Sequence, residues 1–171
     1  MTNYAIRKAT EADLERIMYL LDCGREIMRA NGNPNQWPVG KPSREQIVSD
    51  IAAGISYLIV DGDTPVGTFA FIPGPDPTYA HIEDGEWTDD TLPYYVVHRM
   101  ASTPEARGIF STAINYAKEH CVSLRIDTHH DNTIMQHNLK KHGFVECGVI
   151  YLLDGNPRLA YQWLKEKDVK G

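Results

Sequence analysis

Apolar residues recur along this chain at two spacings, which divide it into predicted helices and strands. Between residues 14 and 28 they recur every three or four positions, which predicts an amphipathic helix that ends by residue 32. Ser43 is placed to cap a second helix. Alternating or β-branched runs bounded by turn residues predict strands. The predicted strands cover residues 4–7, 57–60, 66–72, 94–102, 123–127, 144–152 and 158–163.

Two connections between these elements carry signals of their own. Asp61-Gly62-Asp63 contains the Asp-Gly pair of a tight hairpin, which predicts that the second and third strands are neighbours. Residues 73–93 are rich in Pro, Gly and Asp and are long for an irregular connection. We therefore expect this stretch either to take part in function or to carry short structure of its own.

A turn leads from the fourth predicted strand into the third predicted helix. Residues 103–108 read Thr-Pro-Glu-Ala-Arg-Gly, and apolar residues recur at helical spacing from residue 110 onward. The first N–H groups of a helix lack partners within it, and its dipole is positive there, so such a start binds phosphate. Gly108 leaves room for phosphate oxygens, and Arg107 offers them a bidentate contact. The alternative is an ordinary loop whose glycine serves only the turn geometry.

The elements after this helix favour the phosphate interpretation. Leu124 and Ile126 alternate with polar residues, as in a half-buried strand. Asp131 suits the cap of a fourth helix, whose apolar stripe includes Leu139, and Gly143 suits its end. The order of strand, turn, helix, strand and helix predicts a site for a pyrophosphate ligand.

This combination resembles the GNAT superfamily of acyl-CoA-dependent N-acyltransferases, over residues 6 to about 165. The family fingerprint is a strand ending in a Leu-Ala-Val type tripeptide, a Pro-x-x-Arg-Gly-x-Gly turn, and a later Asn-x-x-Ala/Met helix closed by Gly-Phe. The matching residues here are Met100-Ala101-Ser102, Pro104 to Gly108, Asn132, Met135 and Gly143-Phe144. The resemblance implies an α/β fold of the α+β type: a mixed, mostly antiparallel sheet of about seven strands, flanked by about four helices, that splays after the fourth strand.

The resemblance also implies an activity. It is N-acetyl transfer from acetyl-CoA to a primary amine of a small molecule or protein, by direct attack on the thioester and without a metal. In the family, a backbone N–H at the kinked end of the fourth strand stabilises the oxyanion. The implied coenzyme-binding residues are Met100, Ala101, Ser102, Arg107, Gly108, Ile109, Phe110, Ser111, Asn132 and Met135. For Asn132, a role as a helix cap is an equal alternative.

Two features depart from the family pattern. The turn continues as Gly108-Ile109-Phe110-Ser111 and is about two residues shorter than the family's glycine-rich version. Leu139 stands where many relatives carry the tyrosine that protonates the leaving thiolate, and no spacing selects Tyr151 or Tyr95 as its replacement. Two other functions therefore stay open: a catalytically silent acyl-CoA-binding module, and an unrelated α/β domain that binds a phosphate ligand or a protein.

Acetyl transfer to an amine needs a base near the thioester. An alkyl ammonium has a pKa of about 10.4, so its deprotonation at neutral pH costs roughly 4 to 5 kcal/mol. His98 lies two residues before Met100, so both side chains lie on one face of the strand, where some GNAT relatives place a catalytic group. We predict that His98 is the base, with a hydrogen-bonded strand histidine as the alternative. His129 is the second candidate, and its alternative is a solvated loop residue.

Aromatic residues in loops are candidates for the acceptor site. Trp37 lies in an Asn-Pro loop between the first two helices, and Trp87 and Tyr79 lie in the 73–93 stretch. Such residues also anchor loops to the core, which is the alternative. His129 and His130 are adjacent on what reads as a strand end, so they are expected to point apart, and we predict no metal site.

Composition limits the range of partners. The formal net charge of -6 and the pI near 5.6 argue against a nucleic-acid surface and suit a cationic amine. Three widely spaced cysteines and no recognisable leader predict a cytoplasmic protein with free thiols. No apolar run approaches the roughly 20 residues that span a bilayer, so no membrane partner is expected. The length suits one acetyltransferase domain over residues 1–171, and a homodimer is left open.

Overall fold

Seven strands form one sheet in the computed structural model of the protein, which describes residues 3–166. The strands are β1 (Tyr4–Lys8), β2 (Ser56–Asp61), β3 (Thr64–Pro73), β4 (Tyr95–Ser102), β5 (Ser123–Thr128), β6 (Val145–Tyr151) and β7 (Pro157–Leu164). They lie in the order β1, β2, β3, β4, β5, β7, β6, and every neighbouring pair is antiparallel except β4 and β5. The predicted mixed, mostly antiparallel sheet is therefore confirmed.

Helices cover both faces of this sheet. They are α1 (Leu14–Ala30), α2 (Arg44–Ala52), α3 (Ile109–Glu119) and α4 (Thr133–Lys141). Ile114 of α3 and Leu139 of α4 belong to the same buried cluster as Ile59 of β2. Leu20 of α1 packs in a second cluster with Leu58, the neighbour of Ile59. Because side chains alternate along a strand, α3 and α4 lie on one face and α1 on the other.

The parallel pair of β4 and β5 is the short joint of the sheet. The two strands pair only at Tyr95 with Leu124 and at Val96 with Arg125, and beyond these positions they separate. The predicted splay after the fourth strand is present here. It leaves an opening between the half-sheet β1 to β4 and the half-sheet formed by β5, β7 and β6.

Helix α1 lies close to β4 beside this opening. A Cβ atom added at Gly24 of α1 would lie 2.9 Å from the Cβ of Ala101 and 3.1 Å from the ring of Trp37. A glycine is therefore required for this approach of helix to strand. Met28, one turn further along α1, reaches the opening itself.

The strand boundaries lie within two residues of the predicted ones, and one predicted helix cap is wrong. Ser43 caps α2 by accepting the N–H of Gln46 at 3.1 Å, as predicted, and β2 and β3 form the hairpin around Gly62. The prediction that Asp131 caps α4 is wrong, because Asn132 holds that position and its Oδ1 accepts the N–H of Met135 at 3.0 Å. Both residue types are good caps, so the sequence alone does not separate adjacent candidates.

The long stretch of residues 73–93 carries structure of its own. It contains a 3-10 turn at Pro77–Tyr79 and a bridge between Glu83 and Val149 of β6. None of the helices in residues 3–166 combines the length and the apolar character that are needed to span a bilayer.

Candidate active site

A cleft opens where β4 and β5 separate, and it consists of two adjoining cavities. The larger one, about 270 Å³, is called the histidine cavity, and its polar lining includes His98, Asp127, Arg158, Gln36 and Trp37. The smaller one, about 200 Å³, is called the turn cavity and is lined by residues that include Ser102, Ile109, Asn132 and Asn138. Met28, Met100, Phe110 and Met135 line both cavities, so the two form one continuous space.

His98 lies on β4 between two carboxylates. Its Nε2 atom is 3.5 Å from Oδ2 of Asp76 and 4.0 Å from Oδ2 of Asp127. The buried hydroxyl of Tyr79 donates a hydrogen bond of 2.6 Å to that same oxygen of Asp127. The imidazole of His98 is therefore oriented by acidic groups from two different segments, and it faces the histidine cavity.

The carboxyl of Asp76 has a strongly shifted pKa. Burial opposes its ionisation, but hydrogen bonds from His98 and from Thr78 outweigh this effect and lower the pKa to about 2. The Thr78 bonds come from its N–H at 2.8 Å and its hydroxyl at 2.6 Å. Asp76 thus stays negative beside His98 over the whole neutral range.

This shift predicts a pH-dependent effect of Asp76→Asn on stability. Because the folded pKa is below the unfolded value, the carboxylate stabilises the fold above about pH 4 and loses this contribution as the pH falls towards 2. We expect the variant to lose about 1 to 2 kcal/mol of unfolding free energy at neutral pH, with roughly half of that difference gone at about pH 3. Urea denaturation across this range measures it, and a constant difference would contradict the assignment.

The strand that carries His98 is bulged next to it. Thr68 of β3 pairs with Ala101 and Ala70 pairs with His98, so β4 has one residue more than β3 in this interval. Arg99, within the bulge, has a φ of 53°, which is uncommon for a residue with a side chain. The bulge turns the backbone at the predicted kinked end of the strand, where Met100 faces both cavities.

A buried ion pair holds the bulge in place. Arg99 donates to both carboxylate oxygens of Asp50 on α2, from Nε at 2.7 Å and from Nη2 at 3.0 Å. The side chain of Asp50 is only 3% exposed, and Gln46 donates a further bond of 3.0 Å to it. The strained position of Arg99 is therefore fixed by a contact from a distant segment.

The start of α3 leaves its N–H groups available. Gly108 precedes the helix with a φ of 72°, and within residues 3–166 no side chain caps this end. Arg107 is exposed, and its backbone N–H donates to the hydroxyl of Tyr4 at 3.3 Å. Ser111 is engaged elsewhere, because its hydroxyl lies 2.8 Å from Nε2 of His142. Ile109 and Phe110 line the cleft.

Gln36 joins the loop after α1 to the far side of the cleft. Its Oε1 atom accepts bonds from the hydroxyl of Thr128 at 3.2 Å, the N–H of His129 at 3.3 Å and the amide of Asn132 at 3.0 Å. Asn33 donates to the same oxygen at 3.1 Å. The amide of Asn132 thus has partners within the protein at both ends, since Nδ2 donates to Gln36 and Oδ1 accepts from Met135. These contacts agree with the alternative interpretation of Asn132 as a helix cap.

The structure separates the other predicted residues into two groups. Trp37 lines the histidine cavity, where its role in binding the acceptor stays a prediction. Trp87 is buried elsewhere, donates to the carbonyl of Tyr79 and packs over the guanidinium of Arg125, so it anchors the 73–93 stretch. Among the alternative acids, Tyr95 stacks on Phe71 and Tyr151 is 40% exposed.

His129 is buried beside the cleft rather than solvated in a loop. Its Nδ1 atom accepts the N–H of Asp131 at 3.0 Å, and burial lowers its pKa, with the charge of Arg158 adding to the shift. The expectation that His129 and His130 point apart is wrong, because their rings stack with centroids 4.2 Å apart. Both follow the end of β5 at Thr128, so strand alternation does not apply to them.

His129, His130 and Asp131 each place one potential metal-ligand atom within 4.8 Å of the other two. The hydrogen bond from Asp131 already occupies Nδ1 of His129, and consecutive residues in one turn are brought together by the turn itself. The contacts within the turn account for the cluster, and we do not propose a metal site there.

Sequence reasoning missed four polar residues of the histidine cavity or its edge, namely Gln36, Asp76, Asp127 and Arg158. Asp127 and Arg158 had a usable signal, since each is a charged residue at an end of a predicted strand, Asp127 on β5 beside the splay and Arg158 on β7 next to β5. Gln36 and Asp76 lie in loops, where neither periodicity nor spacing distinguishes them from solvated residues.

Comparisons with known proteins were made for both sequence and structure. No protein-family model matches the sequence, and no curated protein matches it. The structure is similar to a GNAT-family acetyltransferase from Streptococcus agalactiae, with 33% identity, a TM-score of 0.87 and 96% of each chain covered.

More distant structures share the fold. A GNAT-family acetyltransferase from Listeria monocytogenes is 17% identical, with a TM-score of 0.65 and 94% of each chain covered. The NatC complex bound to Gag peptide and CoA contains a chain that is 13% identical, with a TM-score of 0.64, over 96% of this chain and 99% of that one. The 33% identity over nearly all of both chains, together with the splayed sheet, shows that this chain belongs to the GNAT family of acetyltransferases.

Proposed function

We propose that this protein is an N-acetyltransferase that moves the acetyl group of acetyl-CoA to a primary amine of a small molecule or a protein. One observation carries the proposal: a single cleft joins the uncapped start of α3 to the carboxylate-flanked His98. The uncapped start of α3 suits a phosphate ligand, and His98 suits proton transfer. The bulge of β4 lies between them.

The residues of the turn cavity fit a coenzyme A molecule. The N–H groups at the start of α3 and the exposed Arg107 would hold its pyrophosphate. Met100, Ile109 and Met135 provide an apolar channel of the kind that an extended pantetheine arm requires. This arrangement would place the thioester at Met100, where the cavities meet. Ser111 is not needed, since His142 engages its hydroxyl.

The chemistry then follows from the groups around the thioester. His98 removes a proton from the acceptor ammonium, and Asp76 and Asp127 stabilise the imidazolium that results. The free amine attacks the thioester carbonyl, and the carbon–nitrogen bond forms. The carbon–sulfur bond then breaks, and the CoA thiolate that leaves takes up the surplus proton of the attacking nitrogen, so the products are the neutral amide and the CoA thiol. The bulged backbone of β4 is the candidate donor to the oxyanion.

The absence of a tyrosine at position 139 does not prevent this reaction. Leu139 is fully buried in the core, so its side chain faces away from the cleft. A thiol has a pKa of about 8.5, so a thiolate leaving at neutral pH costs only roughly 2 kcal/mol without an acid. The catalytically silent acyl-CoA-binding module remains the second candidate, and acetyl transfer to a panel of amines separates the two.

Calorimetric titration with acetyl-CoA tests the proposal through Gly108→Ala. Gly108 has a φ of 72° and open space around the position of an added Cβ atom, so the variant folds with modest strain. The added methyl would occupy space at the start of α3, and we expect the dissociation constant for acetyl-CoA to rise by about tenfold or more.

Gly155→Ala is the matched control for this experiment. Gly155 has a φ of 86° and equally open surroundings, but it lies in the turn between β6 and β7. Both variants should lower the melting temperature to a similar extent, whereas only Gly108→Ala should weaken binding. Equal affinities in the two variants would contradict the phosphate site, and no binding by the unaltered protein would contradict the proposed function.

A further inference from the structure

Arg158 is a buried cation in the wall of the histidine cavity. It lies near the start of β7 and is 5% exposed. Its Nη1 donates to the carbonyl of Pro157 at 2.9 Å, and its Nη2 donates to the carbonyl of Gln36 at 3.3 Å. Within residues 3–166 no carboxylate forms an ion pair with it.

Two other arginines with buried or largely buried side chains are neutralised by direct contact. Arg99 is held by both oxygens of Asp50. Arg125 donates to Asp90 at 2.9 Å and is stacked between Trp87 and Tyr94. A guanidinium stays charged in proteins, and a buried charge without a counter-ion is unfavourable. Arg158 is therefore the exception among these three.

The carboxylate that lines the same cavity is already committed to other groups. Asp127 accepts the Tyr79 hydroxyl and faces His98. Burial lowers the pKa of Arg158, and the charges of Asp127 and Asp154 act on it only from beyond contact distance. The histidine cavity thus carries negative charge on the side of His98 and an uncompensated positive charge at Arg158.

We propose that Arg158 binds a carboxylate of the acceptor, so that the acceptor is an amino acid or a related amine that carries a carboxylate. This inference rests on the proposed function. The ammonium would face His98, Asp76 and Asp127, and the carboxylate would face Arg158, which matches the two charges of the cavity to the two charges of such a molecule. Within the proposed function, it favours a small zwitterion over the terminus of a protein chain.

Matched pairs of acceptors test the inference. Each α- or β-amino acid is compared with the amine that lacks only its carboxylate, for example phenylalanine with phenethylamine, at saturating acetyl-CoA. We expect kcat/KM to be at least about tenfold higher for carboxylated members, because a hydrogen bond to a charged group contributes about 1.5 to 3 kcal/mol. In Arg158→Gln this preference disappears, mainly through KM, because the carboxylated members lose far more of their kcat/KM than the simple amines do.

Two further variants complete the design. Arg158→Lys keeps a positive charge and should retain part of the preference for carboxylated acceptors. Arg44→Gln is the control: Arg44 forms an exposed ion pair with Glu15, and its replacement should leave the whole preference in place. The comparison within the unaltered protein needs no variant, so a folding defect of Arg158→Gln does not affect it.

The outcomes separate this inference from the proposed function. The role of Arg158 is overturned if the unaltered protein has an equal or higher kcat/KM for the simple amines than for their carboxylated partners. It is also overturned if a folded Arg158→Gln protein loses kcat/KM equally for both members of a pair. Acetylation of simple amines without acetylation of any carboxylated acceptor also overturns it, whereas bound acetyl-CoA without acetylation of any amine is a failure of the proposed function. Failure to bind acetyl-CoA at all is instead the failure of the proposed function.

Discussion

Replacing His98 with glutamine lowers kcat for acetyl transfer by about 10²- to 10⁴-fold, which is the usual contribution of a general base. Glutamine keeps a hydrogen-bonding group near Asp76 and Asp127 but does not accept a proton at neutral pH. Because His98 lies outside the turn cavity, the affinity for acetyl-CoA should be unchanged. Steady-state kinetics and calorimetry on the same preparation measure both quantities.

His81→Gln is the control for this substitution. His81 also lies near a carboxylate, that of Glu83, but its side chain is 75% exposed and remote from the cleft. It should leave kcat unchanged. A His98→Gln protein that retains kcat within about threefold would exclude His98 as the base.

Asp50→Asn produces the largest loss of stability that the structure predicts. It leaves the Arg99 guanidinium without its counter-ion, with the side chain of Arg99 only 19% exposed. Removing one partner of a buried ion pair costs about 3 to 5 kcal/mol, because the remaining charge is uncompensated. Urea denaturation should show this loss. Any folded fraction should have reduced kcat, since the same contact fixes the bulge beside His98.

Glu15→Gln provides the comparison for an exposed pair. Glu15 also accepts a bidentate contact, from both Nη atoms of Arg44, but its side chain is 76% exposed. The midpoint of urea denaturation should not change measurably in this variant. The double variant Asp50→Asn with Arg99→Gln should recover part of the stability, because it removes the unpaired charge. Equal effects of Asp50→Asn and Glu15→Gln would contradict the buried ion pair.

The sequence predicts those parts of the structure that depend on local patterns. The apolar spacing in α3 predicts its buried side, which is found as expected. The alternation in β5 predicts a half-buried strand and is wrong on this point, because the polar residues Ser123, Arg125 and Thr128 are buried as well. The Asp-Gly pair at residues 61 and 62 predicts the hairpin of β2 and β3. His98 and Trp37 both line the histidine cavity, and the catalytic and acceptor-binding roles given to them stay predictions.

The remaining features depend on contacts between distant segments. Asp50 and Arg99 are 49 positions apart, and neither residue alone indicates a bulge. Gln36 accepts donors that lie 92 to 96 positions further along the chain. Trp87 illustrates the opposite error, since an aromatic residue in a polar loop fits a binding surface as well as an anchor. Its burial, its hydrogen bond to the carbonyl of Tyr79 and its contact with Arg125 show that it is an anchor.

The two residue pairs that join β4 to β5 have a consequence for how the molecule unfolds. A joint this short leaves the two half-sheets as units with few backbone hydrogen bonds between them. Their coupling therefore depends largely on side chains, namely the shared core that includes Ile59 and Leu124 and the contacts of Gln36 across the cleft. A molecule that occupies the cleft touches both units at once. Its binding free energy therefore opposes their separation and protects the whole sheet from partial opening, including strands that it does not contact.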